Sequence, residues 1–211
     1  MTARFWNRIA NYYSRRPVAD EASYQRKLEV TREYFRPDTE VLELGCGTGS
    51  TAIAHAPYVK HIQAVDFSRR MIDIARAKAE AGKVGNVTFQ CAAIDELQVS
   101  DQRYDAVLAL SILHLVESRD ETLSKIHRIL RPGGILVTST VCIGETLRSF
   151  KVIAPIGHFL GLMPLIRVFT IRELAESISR AGFTIEHQWH PGKNKAVFIV
   201  ARKVAPDRRT D

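Results

Sequence analysis

The sequence predicts an α/β domain: a doubly wound sheet of seven strands, six parallel and one antiparallel, with helices on both faces. Three observations carry this reading. From residue 40 onward, short apolar runs alternate with segments of helical periodicity, the pattern of a parallel sheet covered on both sides. The helical segments between the runs have readable ends. The last two runs are joined only by a polar stretch, 188–195, too short for a helix, so that pair must be antiparallel.

Strand-like runs lie at 41–44, 62–66, 87–91, 106–110, 135–140, 183–187 and 196–200. Ser68 can cap a helix reaching Ala81, with Gly82 closing it. Ser118 and Glu121 read as a capping box, after which Leu123, Ile126 and Leu130 share one face. Pro132-Gly133-Gly134 is expected to end that helix and turn the chain into the fifth strand. Thr170 and Glu173 form a second capping box, with Leu174 and Ile178 inward and Gly182 at the end. Residues 203–211 read as a flexible tail.

At 211 residues the chain suits one large domain with a sizeable core, and its 45% apolar and 25% charged content is ordinary for a globular protein. Residues 1–36 are polar, aromatic and charged throughout, so no secretory leader is expected. Cys46, Cys91 and Cys142 are far apart and match no metal spacing, which suits a reduced, cytoplasmic protein without disulfides or a metal. The formal charge is +7, but residues 1–36 carry +4 and residues 202–211 carry +2. The remaining body holds 18 basic and 17 acidic side chains, a net of +1. That is not the continuous basic face of a nucleic-acid binder, although a weak attraction to an anionic membrane surface stays open.

Chemistry concentrates in VLELGCGTGS, residues 41–50. Three alternate glycines after a strand let a ligand approach the backbone closely. The dinucleotide fingerprint needs Gly-x-Gly-x-x-Gly, and Ser50 stands where its third glycine belongs. Glu43, two residues before the first glycine, would repel a pyrophosphate and accept a positively charged ligand.

Glu43-x-Gly45-x-Gly47-x-Gly49 resembles the first motif of class I S-adenosylmethionine-dependent methyltransferases of the small-molecule type. The resemblance covers most of residues 37–201 and implies a Rossmann-like sheet of order 3-2-1-4-5-7-6, forming a methyltransferase domain over 37–202. Phe5-Trp6-Asn7-x-x-Ala10-x-x-Tyr13 is similar to the N-terminal helix that closes over the cofactor, so 1–36 reads as a helical lid with Trp6, Tyr12 and Tyr13 as its aromatics. Beside Glu43, Gly45, Cys46, Gly47 and Gly49, the resemblance assigns Asp66 to the ribose hydroxyls and Asp95, with the Ile94 backbone, to the adenine amino group. Phe67 is expected against the ribose or adenine, and the Leu110 or Ser111 carbonyl at the methionine ammonium. By its position alone, Asp66 would serve a nicotinamide dinucleotide equally well. Asp95 also reads as a helix N-cap.

Methyl transfer from a sulfonium is an in-line displacement that requires mainly alignment and dryness. His114, just past the fourth strand, is the candidate base where an acceptor must lose a proton, with packing as its alternative role. Nucleobase-amine and amide methyltransferases carry an Asn/Asp-Pro-Pro-aromatic stretch at this place, and Leu110-Ser111-Ile112-Leu113 does not match it. DNA and RNA are therefore not expected as substrates. Residues 147–170 read as an apolar cap, with 15 uncharged residues at 152–166, short of the ~20 of a membrane span and interrupted by Pro155 and Pro164. The acceptor is expected to be a small molecule, with an apolar or lipid-like one and a peripheral membrane contact in view, and the protein a monomer or homodimer. A nicotinamide-dependent oxidoreductase and a noncatalytic cofactor-binding regulator are the competing readings. Substituting Leu162 and Met163 by Asp is expected to lower turnover without loss of folding; unchanged turnover in a folded variant would remove the cap hypothesis.

Overall fold

The structure, a computed structural model, describes residues 3–142, 166–192 and 195–204. Within them the chain runs α1 (Ala3–Arg15), α2 (Glu21–Arg32), β1 (Glu40–Leu44), α3 (Ser50–His55), β2 (His61–Asp66), α4 (Arg69–Ala81), β3 (Val87–Cys91), β4 (Tyr104–Leu110), α5 (Arg119–Ile129), β5 (Leu130–Thr140), α6 (Ile171–Arg180), β6 (Phe183–Trp189) and β7 (Val197–Lys203). The sheet order is β3-β2-β1-β4-β5-β7-β6. Strand β7 is antiparallel to both neighbours, pairing Val137 with Val200 and Ile185 with Ala201. The expected single reversal is therefore real, and it falls one strand in from the edge.

Alternating side chains give the sheet two cores. Leu42, Val65, Val107, Leu136 and Ile199 face one side, covered by Leu123 and Ile126 of α5 and Leu174 and Ile178 of α6. Val41, Ala64, Leu108, Val137 and Phe198 face the other, covered by Val30 of α2, Ala52 of α3, and Ile72 and Ala75 of α4. Burying each large aliphatic side chain in this way contributes about 1.5–3 kcal/mol. Only strands flanked on both sides can be apolar throughout, and β1, at the centre, is buried at all five positions.

The caps fall mostly where the residues place them. Ser68 accepts from Met71 N, and Thr170 with Glu173 closes a reciprocal capping box. At Ser118 only half the box is present: its hydroxyl accepts from Glu121 N, with no return bond from the Glu121 side chain. Helix α4 ends on a Schellman motif, with Val84 N donating to Ala79 O and Lys83 N to Glu80 O. Its left-handed residue is Lys83 (φ 53°), not Gly82. Gly182 does take the left-handed turn after α6 (φ 91°), where a Cβ would lie 2.9 Å from the His127 ring.

Two expected boundaries move. Strand β5 begins directly at Leu130, and Pro132-Gly133-Gly134 lies inside it, in an irregularity where Tyr104 pairs with Leu130 and Ala106 with Ile135. Strand β7 runs on through Lys203, whose ammonium donates to the carbonyls of His127 (2.7 Å) and Leu130 (2.8 Å). Lys203 is thus a strut of the sheet rather than the start of the tail; residues 205–211 lie outside the described residues. So does the cap reading, except at 166–170, where Phe169 is buried against the α5–α6 core.

His55, fully buried at the end of α3, makes an edge-on contact with Phe35 at 5.1 Å, and neither ring nitrogen has a partner among the described residues. Burial, with Arg32 nearby, pushes its pKa down to about 3. Below the ordinary value of 6.5 the unfolded chain binds a proton that the fold refuses, so stability is lost as pH falls. Urea titrations between pH 6.5 and 4 are expected to show about 1.4 kcal/mol per pH unit from this group, and His55→Leu is expected to remove that contribution.

Candidate active site

The loop leaving β1 is held in a left-handed path at all three glycines, with φ of 67° at Gly45, 54° at Gly47 and 76° at Gly49. Only glycine adopts this freely. The glycines are not equivalent in what surrounds them. A Cβ on Gly45 would sit 2.7 Å from Ile112 Cδ1, and one on Gly49 would sit 2.8 Å from both Ala75 Cβ and the Phe89 ring. A Cβ on Gly47 would meet no described atom within 4 Å. Gly45 and Gly49 are therefore glycine for packing, whereas Gly47 is the point where the loop backbone stands open.

Hydrogen bonds fasten the loop to β2. Cys46 N donates to Val65 O (2.9 Å), and Gly47 N donates to Asp66 Oδ2 (3.0 Å). The other Asp66 oxygen accepts from Ser68 N at 2.8 Å. Burial pushes the Asp66 pKa up against these two bonds, which hold it down. Lys78, from α4, donates to Thr48 Oγ1 (3.0 Å) and Ser50 Oγ (3.2 Å) and braces the far side of the loop. Cys46 is buried, and burial raises its thiol pKa, so it is an inert lining group.

Glu43 is only 3% exposed, and its Oε2 has no partner among the described residues. Burial and the neighbouring Asp66 carboxylate push its pKa up to about 8, against a hydrogen bond from the Ala52 backbone. Two buried acids side by side with one unpartnered oxygen form an electron-rich pocket that a cation would complete.

Helix α1 closes one side. Its Asn7 Oδ1 accepts from Ser68 Oγ (2.7 Å) and Arg70 N (3.1 Å), so an α1 side chain caps α4. Trp6 packs on the α5–α6 core, while Tyr12 and Tyr13 are 65% and 51% exposed. The predicted lid region is thus two different elements: α1 clasps α4, and α2 is part of the sheet's covering, with Leu28 and Val30 buried.

After β3, Ile94 and Asp95 form a turn rather than a helix start, so the N-cap alternative for Asp95 falls away. Lys125 of α5 holds this turn by donating to the carbonyls of Ile94 (2.7 Å) and Asp95 (3.1 Å). Phe67 is half-buried between β2 and α4, where Cys91 Sγ contacts its carbonyl. After β4, Ser111 adopts φ 57° and is exposed, its N–H bound to Ser139 O at 2.7 Å. His114 lies three residues on, with Nδ1 buried and unpartnered among the described residues, and burial pushes its pKa down to about 4. At neutral pH it is an uncharged imidazole and a weak base. Its carbonyl accepts from Arg167 N, 2.8 Å, which ties this loop to the chain entering α6.

Two residues with long-range partners have no local signal in the sequence. Tyr24 and Lys27 lie one turn apart on the polar helix α2. In the fold, Tyr24 Oη lies 3.4 Å from Thr51 Oγ1 and its pKa is raised by burial and by the charge of Glu43. Lys27 Nζ reaches 112 residues along the chain to Ser139 Oγ at 2.8 Å.

A separate cavity of about 450 Å³ opens between α5 and α6 and shares no residue with this site. Within it Asp120 is paired to Arg119 (3.3 Å) and Arg180 (3.6 Å). Among the described residues no three His, Cys, Asp or Glu side chains gather closely enough to hold a metal, and no helix is long and apolar enough to cross a membrane.

Residues 41–134 match the family described as a methyltransferase domain. A ubiquinone biosynthesis O-methyltransferase of Coxiella burnetii is 32% identical over 179 residues, covering 78% of this chain and 73% of that protein. A malonyl-[acyl-carrier protein] O-methyltransferase of Priestia megaterium is 28% identical over 184 residues, covering 84% of this chain and 66% of its own length. That relative therefore carries sequence beyond what this chain spans. Among solved structures, the YcgJ protein of Bacillus subtilis superposes with a TM-score of 0.72 at 17% identity, over 86% of this chain and all of that one. The chain belongs to the class I S-adenosylmethionine-dependent methyltransferase family.

The three glycines should separate on substitution. Gly49→Ala is expected to cost roughly 2–4 kcal/mol of stability, from left-handed strain plus overpacking against Phe89. Gly47→Ala is expected to cost only about 1 kcal/mol, the strain alone. Chemical denaturation of both variants checks the difference.

Proposed function

We propose that this chain transfers the methyl group of S-adenosylmethionine to a small acceptor held over the C-terminal ends of β4 and β5. The observation that carries the reading is the buried, half-unpartnered Glu43 beside the open backbone of Gly47. A phosphate-bearing dinucleotide would be disfavoured beside these two acids, whereas a ligand whose sulfonium and ammonium outweigh its single carboxylate is complementary. S-adenosylmethionine, when bound, supplies a methyl group made electrophilic by a sulfonium.

The chain's own groups then divide the task. The loop 45–49 offers backbone to the methionine end, and Glu43 supplies the compensating negative charge. Asp66 has one acceptor position in use on each oxygen, leaving capacity for ribose hydroxyls. Phe67 and Ile94 would sandwich the base, with the exposed Asp95 carboxylate at its amino group. The carbonyl of Leu110 or Ser111, turned by the left-handed Ser111, would take the ammonium. Helix α1, clasped to α4 through Asn7, excludes water from one side. His114, uncharged in its buried seat, suits packing or hydrogen bonding better than proton abstraction.

Calorimetry with S-adenosylmethionine, S-adenosylhomocysteine and NADH tests the assignment. Binding of the first two is expected, weakened by about 1–3 kcal/mol in Asp66→Ala; binding of NADH alone would overturn it. Because Glu43 titrates near 8 and a cationic ligand favours its carboxylate form, binding at pH 7 is expected to release a proton, and affinity to rise with pH toward 8. Titrations in two buffers of different ionisation enthalpy measure the released proton, and Glu43→Gln should abolish it.

A further inference from the structure

The outward face of α1 carries charge and aromatic surface that the cofactor site does not use. Helical periodicity places Arg4, Arg8, Asn11, Tyr12 and Arg15 on one side of α1, opposite Trp6 and Ala10, which pack inward. All five are exposed. Half-buried Phe5 and, just past the helix, Arg16 border the same face. The Arg8 guanidinium lies 5.7 Å from the Phe5 ring centroid, and that of Arg16 lies 5.2 Å from the Tyr12 centroid. Cations and rings therefore form one surface. On the flank of the helix, Asn7 accepts from Arg70 N, which brings the exposed Arg69 and Arg70 at the start of α4 alongside. Because α1 closes the cleft with its inner face, the cofactor lies across the helix from its arginines and does not complete them.

Nothing in the chain neutralises this surface. Helix α1 has no acidic residue, and the first acid in the sequence, Asp20, caps α2 and is held by Lys195 at 2.6 Å. Among the described residues none of Arg4, Arg8, Arg15, Arg16, Arg69 and Arg70 forms an ion pair, and Asp73, one turn along α4, is paired with none of them. The body of the chain, residues 37–201, carries a net of only +1, so this face stands out as basic. Arginines along the outer face of a helix, edged by Tyr12 and Phe5, suit the plane of an anionic bilayer surface. Guanidiniums meet headgroup phosphates there, and an amphipathic tyrosine ring sits at headgroup level. A nucleic-acid duplex would use the arginines and leave the rings idle.

We infer that α1 docks the protein peripherally on an anionic lipid surface. Arg4, Arg8, Arg15 and Arg16 meet headgroup phosphates, Tyr12 lies at headgroup depth, and Arg69 and Arg70 of α4 form a second point of contact. Each arginine near such a surface strengthens binding roughly five-fold. The inference stands whether or not the cleft transfers methyl groups. It brings the cleft that α1 closes to about one helix diameter, ~10–12 Å, from the bilayer.

Co-sedimentation of the full chain with vesicles tests it. The wild type is expected to bind phosphatidylcholine vesicles containing about 30 mol% phosphatidylglycerol and not those of phosphatidylcholine alone. It should be released at about 1 M salt, where the screening length falls to ~3 Å. The triple variant Arg4→Gln, Arg8→Gln, Arg15→Gln, in which glutamine keeps helix propensity, should bind roughly 30- to 150-fold more weakly. Tyr12→Ser should weaken binding and leave its salt dependence unchanged. If circular dichroism shows the triple variant unfolded, Arg69→Gln with Arg70→Gln replaces it, with a loss of roughly 5- to 30-fold. A DNA duplex and polyglutamate serve as polyanions without a bilayer. The inference is overturned where the wild type does not bind the anionic vesicles, or where the folded arginine variant binds them as the wild type does. It is overturned also where the duplex or polyglutamate is bound as tightly as the vesicles, which would assign the face to nucleic acid or to an acidic protein.

Discussion

The fastening of the β1 loop to the end of β2 is the constraint from which the rest of the site follows. Gly47 N on Asp66 Oδ2 and Cys46 N on Val65 O draw a left-handed loop down onto the neighbouring strand. That path requires glycine at three alternate positions, brings Asp66 beside Glu43, and sets the first turn of α3 under the loop. The same carboxylate takes Ser68 N with its other oxygen, and Ser68 in turn caps α4 and is held by Asn7 of α1. One buried carboxylate thus links the glycine loop, the helix after β2 and the N-terminal helix. Its charge is tolerated because backbone donors surround it.

The price of this arrangement is borne by Glu43. It lies within reach of Asp66, lacks a partner on one oxygen and holds its proton well above the usual range for a carboxyl group. A fold optimised only for stability would place an apolar residue at this position of β1, where the other four positions are buried as well. The unfavourable burial of Glu43 is the kind of perturbation that clusters at functional sites.

Legibility in the sequence followed the range of the interactions. The helices of the sheet's two faces, the Thr170 capping box, the single reversed strand and the glycine loop rest on contacts within a few residues, and pattern reading located them. Lys83 took the left-handed turn expected near Gly82 because the Schellman hydrogen bonds set the position, and the neighbouring glycine kept ordinary helical angles. Lys203 looked like tail because its two carbonyl partners lie more than 70 residues away. Lys27 and Tyr24 carry no local signal for the same reason.

By itself the sequence determined the fold class and the place of the glycine loop, because backbone conformation, capping and alternation are local and glycine has no substitute at positive φ. Only the tertiary structure decided which glycine faces open space and that Asp66 is the anchor of the loop. It also decided that His114 is a buried, weakly basic imidazole and that a lysine from the second helix reaches the end of β5. Each of these depends on desolvation or on a contact between elements far apart in the chain, and neither burial nor long-range proximity is written in any short stretch of residues.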